Sequence, residues 1–133
     1  MGRCTETKVA SICSSAPSEF LSTVALKHSD AILKRNLRII QDNLRLPEEF
    51  FNRYPGLFVF NRPMAGPVAF IKMNIDMPIG EFCDAMVAEK GVLLLPADVF
   101  SYEGQYFRMG FGRRSFPECL AKFEEYLVEK QYV

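Results

Sequence analysis

"SSAPSEFLSTVALKHSDAILKRNLRIIQDNLRLPEEFFNRYPG", residues 14–56, keeps helical spacing over most of its length. Apolar side chains recur at Leu21, Val24, Ala25, Ile32, Leu33, Leu37, Ile40 and Leu44, then at Phe50 and Phe51. These steps of three and four residues build one face of a helix. Ser14 or Ser15 is placed to cap the first turn, Pro17 suits that turn, and Glu19 sits at its positive end. Pro47 lacks a backbone donor and predicts a kink or a break just before itself. Tyr54-Pro55-Gly56 closes the segment, so a long helix is predicted over 15–53. At ~1.5 Å per residue it spans roughly 50 Å. A compact chain of 133 residues has a radius of gyration of about 14 Å, and so is roughly 35–40 Å across. A straight helix would overhang it. Either Pro47 folds the helix back, or its first half packs against something outside this chain.

On the N-terminal side, residues 1–14 are polar and unpatterned and read as a flexible arm. On the C-terminal side, residues 54–133 mix strands with helices. "LFVF" (57–60) and "PVAFIKMN" (67–74) read as strands, the second with Val68, Phe70 and Lys72 on one face. "MPIGEFCDAMVAEKG" (77–91) reads as a helix with Pro78 near its start and Gly91 past its end. "VLLLP" (92–96) reads as a strand covered on both faces, and "ADVFSYEG" as a loop. "QYFRMGFGR" (105–113) is a last strand. "SFPECLAKFEEYLVEKQ" (115–131) is a closing helix capped by Ser115, its stripe formed by Leu120, Phe123, Leu127 and Val128. The fold class is α+β, a small antiparallel or mixed sheet with helices packed on it, preceded by the long helix.

Composition removes several function classes. Sixteen basic residues balance sixteen acidic ones, whereas a phosphate-backbone binder carries a basic excess. No apolar run is long enough to span a membrane, and "MGRCTETKVA" has no apolar signal-peptide core. The expectation is a cytoplasmic chain with no nucleic-acid or membrane partner. Cys4, Cys13, Cys83 and Cys119 show no metal-ligand spacing and read as reduced thiols. His28 has no cysteine nearby and no specified catalytic partner. No metal site is expected.

One residue breaks the pattern. In "EGQYFRMGFGRR" (103–114), Phe107, Met109 and Phe111 share an apolar face, while Tyr106, Arg108, Gly110 and Gly112 share the other. A guanidinium is costly to bury alone. Arg108 either faces water or forks onto a carboxylate, the anion arginine holds best. Gly66, between two prolines in "RPMAGPVAF", is either a plain turn glycine or a point of close backbone approach. "RMGFGRRSF" loosely echoes an RNA-recognition strand, but its aromatics fall on the core face, where they stack no bases.

Taken in order, "SSAPSEFLSTVALKHSDAILKRNLRII", "YPGLFVFNRPMAGPVAFIKM" and "GVLLLPADVFSYEGQYFRMGFGR" resemble the C-terminal small domain of class I/II, fold-type-I aminotransferases. The likeness covers about residues 11–130. It implies that the long helix links this domain to a large cofactor-binding domain absent from the chain, or serves a homo-oligomer. It implies that Arg108 binds the α-carboxylate of an amino-acid or 2-oxo-acid substrate, with Gly66 and Phe100 as further substrate-binding positions. The cofactor implied for the intact enzyme is pyridoxal phosphate. The Schiff-base lysine of the family lies in the large domain, and none of the lysines here sits in that context. Neither cofactor binding nor catalysis is therefore expected of this chain alone. Ala97 stands where the family often has glycine, which bears on the loop geometry there. A lyase, decarboxylase or cyclase of the same fold would use the same arginine. A stand-alone interaction module would keep the fold and expose the helix.

Overall fold

The computed structural model describes residues 15–133, and the arm expected over 1–14 lies outside them. The described residues fall into two units, one ending at Arg35 and the other spanning Asn36–Val133.

The segment expected as one helix forms two, α1 (Ala16–Lys27) and α2 (Ser29–Arg53). The division falls at His28, whose backbone leaves helical geometry at φ −110°, ψ 18°. Ser29 and Asp30, which compete for backbone bonds in helix interiors, follow directly. Ser15 occupies the N-cap position of α1 but makes no side-chain capping bond. In this first unit the apolar residues Phe20, Leu21, Val24 and Leu26 are all exposed.

α2 does not end at Pro47. That proline lies inside the helix and is buried. Its missing N–H leaves the Asn43 carbonyl without the usual helical donor, while its ring adds to the apolar interior.

In the second unit, β1 (Phe58–Phe60), β2 (Val68–Met73), β3 (Leu95–Pro96) and β4 (Tyr106–Gly110) form a sheet in the order β1-β2-β4-β3. All three pairings are antiparallel. The fold is thus α+β, with a small four-stranded antiparallel sheet. Strand β2 alternates as its sequence demands, Ala69, Ile71 and Met73 inward and Val68, Phe70 and Lys72 outward. β4 does the same with Phe107 and Met109 inward. The inward side chains meet Phe50 and Phe51 of α2, Phe82 and Met86 of α3 (Ile79–Lys90), and Phe123 and Leu127 of α4 (Phe116–Glu129). Phe123 sits at the centre, its ring centroid 5.6 Å from Phe50, 5.9 Å from Phe58 and 5.9 Å from Phe107. Burying each such ring contributes roughly 1.5–3 kcal/mol.

Three local expectations change. Only Leu95 and Pro96 of "VLLLP" form a strand, and it is an edge strand with Leu93 72% exposed. Val92 and Leu94 alone turn inward. Val128 points outward from α4 and Tyr126 is buried in the stripe instead. Ser115 holds the N-cap position of α4 without a side-chain bond.

Two polar side chains lock the loops. Phe111 donates its N–H to Pro67 O at 2.7 Å, but a proline has no N–H to return. Asn43 supplies the missing donor: its Nδ2 reaches Phe111 O at 2.7 Å and Arg113 O at 2.7 Å. Gln105 acts likewise at α3. Its Oε1 accepts the Ile79 N–H at 3.0 Å, and its Nε2 donates to Ile75 O and Met77 O. That provides the N-terminal cap which Pro78, at the N-cap, lacks. At the other end Gly91, at φ 66°, closes α3 with its N–H on Val87 O, the left-handed stop that glycine favours.

Candidate functional site

The sheet face opposite the core carries the unusual chemistry. β4 places Arg108 on it, paired with Phe70 on β2 and Leu95 on β3. Lys72 pairs with Tyr106, and Val68 with Gly110. This face is partly open: Phe70 is 39% and Phe100 40% exposed.

The short 3₁₀ turn Ala97–Phe100 brings Phe100 back over β4. The Arg108 guanidinium carbon lies 5.0 Å from the centre of the Phe100 ring. The ring's negative face attracts the cation and orients its plane. Phe100 meets Phe70 edge-on at 5.4 Å, Phe70 meets Tyr102 at 6.2 Å, and Tyr102 meets Tyr106 at 5.3 Å. Phe100 alone of these rings lies against the arginine; the other three continue an aromatic row from it.

Arg108 is only partly exposed, yet among the described residues its side chain makes no ion pair and no hydrogen bond. Some other cations here are matched: Arg53 with Glu124 at 2.9 Å, Arg62 with Glu48 at 2.8 Å, and Lys90 with Glu125 at 2.7 Å and Glu129 at 2.8 Å. A guanidinium offers five donors and a planar fork suited to a carboxylate.

Of the three residues singled out by sequence, two come together. Phe100 stacks on Arg108. Gly66 stands apart, in the loop before β2, at φ 83° with nothing within 4 Å of where a Cβ would lie. Its positive φ makes it a turn position that L side chains rarely adopt. Sequence reasoning placed Tyr106 on the face of Arg108 but missed that Phe70 and Tyr102 join it and Phe100 in one aromatic row, because the register joining β2 to β4 is not written in either strand alone. The outward phase of Phe70 was the available signal.

The described lysines do not make a cofactor site. Lys90 and Lys130 are held by glutamates, Lys72 lies on the open sheet face, and Lys27, Lys34 and Lys122 are exposed. None is buried beside a phosphate cradle. Among the described residues, no lysine stands in a setting that fits an aldehyde cofactor. No group of three metal-ligating side chains gathers among the described residues, and no described helix is long and apolar enough to cross a membrane.

No family model matches the chain. It is 30% identical over 94 residues to capreomycidine synthase from Streptomyces vinaceus, a match covering 71% of this chain and 23% of that protein. Among solved structures it superposes on a pyridoxal-phosphate-dependent aminotransferase from Streptococcus suis with a TM-score of 0.79 and 30% identity. That match covers 88% of this chain and 31% of the other. The pyridoxal-phosphate-dependent cyclase OrfR shares the fold at a TM-score of 0.81 and 20% identity, over 92% of this chain and 34% of its own. The chain therefore has a fold found within pyridoxal-phosphate-dependent aminotransferase and cyclase chains. It spans about a third of those structures and about a quarter of the curated relative.

Proposed function

We propose that these residues form the substrate-carboxylate-binding small domain of a pyridoxal-phosphate-dependent enzyme, in which Arg108 grips the α-carboxylate of an amino acid or 2-oxo acid. The observation that carries this is Arg108 itself: a partly buried guanidinium with no anion, oriented by the Phe100 ring on an open sheet face. Two parallel N–H···O bonds to a carboxylate would satisfy it and hold the substrate's Cα in one place, which is what amino-group chemistry requires. Pyridoxal phosphate, when bound, supplies the electron sink for that chemistry. In this reading its lysine and phosphate-binding groups lie in polypeptide outside these residues. The exposed Leu21, Val24 and Leu26 of α1 support a missing partner surface, either a large domain or a second copy. Phe100 sets the arginine's surroundings, and Gly66 sets the turn before β2.

The reaction is amino-group transfer, and a ring closure is the second reading. The latter is favoured by the likeness to a synthase and to a cyclase. Product analysis separates them: transfer converts a 2-oxo acid into an amino acid, whereas cyclisation leaves the amino group in the substrate skeleton.

The test is Arg108→Gln in the polypeptide that carries the cofactor. Loss of a bidentate charged contact costs about 3–4 kcal/mol, or roughly 10²–10³-fold in kcat/KM. The cofactor's absorbance should stay unchanged, and an amine substrate without a carboxylate should show little loss. An equal loss for both substrates would overturn the assignment. So would amino-group transfer by the purified 133-residue chain supplied with pyridoxal phosphate, since the chain would then hold its own cofactor.

A further inference from the structure

Arg108 stands at the centre of a strand that is tied down at both ends by side-chain amides. Gln105 precedes it and Phe111 follows it at equal distance along the chain. Gln105 donates from Nε2 to Ile75 O at 3.1 Å and Met77 O at 2.7 Å, and its Oε1 accepts the Ile79 N–H at 3.0 Å. Past the other end, Asn43 Nδ2 donates to Phe111 O and to Arg113 O, each at 2.7 Å. One amide thus anchors β4 to the segment entering α3, the other to α2.

The strand's own sequence leaves its register open. Phe107, Met109 and Phe111 are all large, apolar and buried. A one-residue slip would turn them to solvent, but a two-residue slip exchanges one for another and keeps the faces. That slip would carry Arg108 roughly 7 Å along the sheet. It would then stand opposite Val68 or Lys72 instead of Phe70.

Pairing within the sheet resists this on one side only. β2 runs beside the whole of β4. β3 meets it at Arg108 and Phe107, and Pro96 brings no N–H to the second pair. Ladder bonds are also alike from residue to residue, so they hold a slipped strand much as they hold a seated one. The amides discriminate. A two-residue shift takes Gln105 away from the groups before α3 and takes the two carbonyls away from Asn43. Asn43 is 6% exposed, so the shift would leave its donors buried and unpaired. Both amides also tie β4 to helices that pack on the core face of the sheet, which limits the roll of the strand about β2.

We infer that Gln105 and Asn43 are positioning residues for the carboxylate grip. They set the register and roll of β4, and through it the place of the Arg108 guanidinium. Both act from the core side of the sheet, through the backbone. A bidentate fork tolerates little displacement, because both N–H···O bonds must form at once and the substrate's Cα follows them. This role rests on Arg108 holding the substrate carboxylate.

NMR of the isotopically labelled full chain reads the register directly. Because Phe111 bonds Pro67, alternation makes Phe70 and Arg108 a non-hydrogen-bonded pair, whose Hα atoms lie close. Gln105→Leu and Asn43→Ser should each weaken the Hα–Hα contact of that pair by about half or more. Gln105→Glu, which keeps the acceptor and loses the donors, takes the place of the leucine variant if that one does not fold. In the cofactor-bearing enzyme, kcat/KM is compared for the protein amino acid it turns over best and for the amine lacking only that carboxylate. Each variant should lower the acid-to-amine ratio about tenfold. The ratio does not depend on how much enzyme is folded, so a merely structural loss cancels from it. Leu120→Ala, a core change on α4, should leave it unchanged, and with Arg108→Gln in place neither amide change should lower it further. An undiminished Hα contact in both variants overturns the role, as does a ratio within about twofold of the unsubstituted enzyme. If Arg108→Gln itself leaves the ratio unchanged, the carboxylate reading falls and the role with it.

Discussion

Replacing Asn43 by alanine tests how the sheet is tied to α2. Asn43 is 6% exposed and donates two bonds of 2.7 Å, one to Phe111 O and one to Arg113 O. Phe111 O faces a proline across the strand and has no other donor in reach. Its loss leaves a buried carbonyl unsatisfied, at about 1–3 kcal/mol. The Arg113 carbonyl is part-buried, and water recovers some of its share. The sum is roughly 2–4 kcal/mol. With a urea slope of about 1.5 kcal/mol/M, the unfolding midpoint of Asn43→Ala should fall by about 1–3 M. Asn43→Asp is more telling. A carboxylate only accepts, so at pH 7 it would face two carbonyl oxygens with no donor. Its destabilisation should exceed that of alanine. Near pH 4 the protonated acid regains one donor and the gap should narrow. The folded-state pKa of the introduced carboxyl is raised above its unfolded value of about 4. The variant is therefore most stable below that value and weakens as pH rises through the folded one. A midpoint shift under about 0.5 M for Asn43→Ala would refute the argument, because both carbonyls would then have reached water.

Phe100→Ala removes the ring beneath Arg108 and should raise KM for a carboxylate substrate in the cofactor-bearing enzyme about two- to fivefold, the value of a partly exposed cation–π contact; unchanged KM would show that the ring does not orient the arginine. Burial pushes the Cys83 thiol up to about 12, so iodoacetamide mapping at pH 8 should find Cys119 labelled well before Cys83. Because the folded value is raised, the stability tied to Cys83 is intact below pH 9 and declines between about 9 and 12 as only the unfolded thiol ionises; Cys83→Ala should flatten that decline. The hydrogen bond from Lys90 holds the Glu125 carboxyl below its ordinary value. Its contribution is thus present above the unfolded pKa and lost as pH falls through the folded one. Lys90→Met should return the Glu125 titration, followed by NMR, to the ordinary carboxylate range; an unmoved titration would contradict the bond.

Much of the second unit was legible because its signals are local. Alternation in "VAFIKM" and "YFRMG" assigns each side chain to a face, and the structure keeps those faces. Gly91 announces the end of α3 because glycine tolerates the left-handed turn there. The helix boundaries at the front were less legible. Pro47 reads as a kink or a break; α2 runs through it, and its buried ring adds apolar contact where one hydrogen bond is absent. His28 carries no breaking signal of its own, and the division there follows from its neighbours.

The sequence by itself determined which face of β4 is apolar, that Arg108 lies on the other, and that strands and helices alternate as an α+β fold. Those properties depend on side-chain period and backbone stereochemistry, which act within a few residues. Only the tertiary structure decided that Phe100 lies over Arg108, that Asn43 serves a strand about seventy residues away, and that Leu93 turns to solvent while β4 keeps an open edge. These follow from register and loop closure, where hydrogen-bond donors and acceptors distant in sequence must be matched. No short stretch of the chain records how that matching comes out.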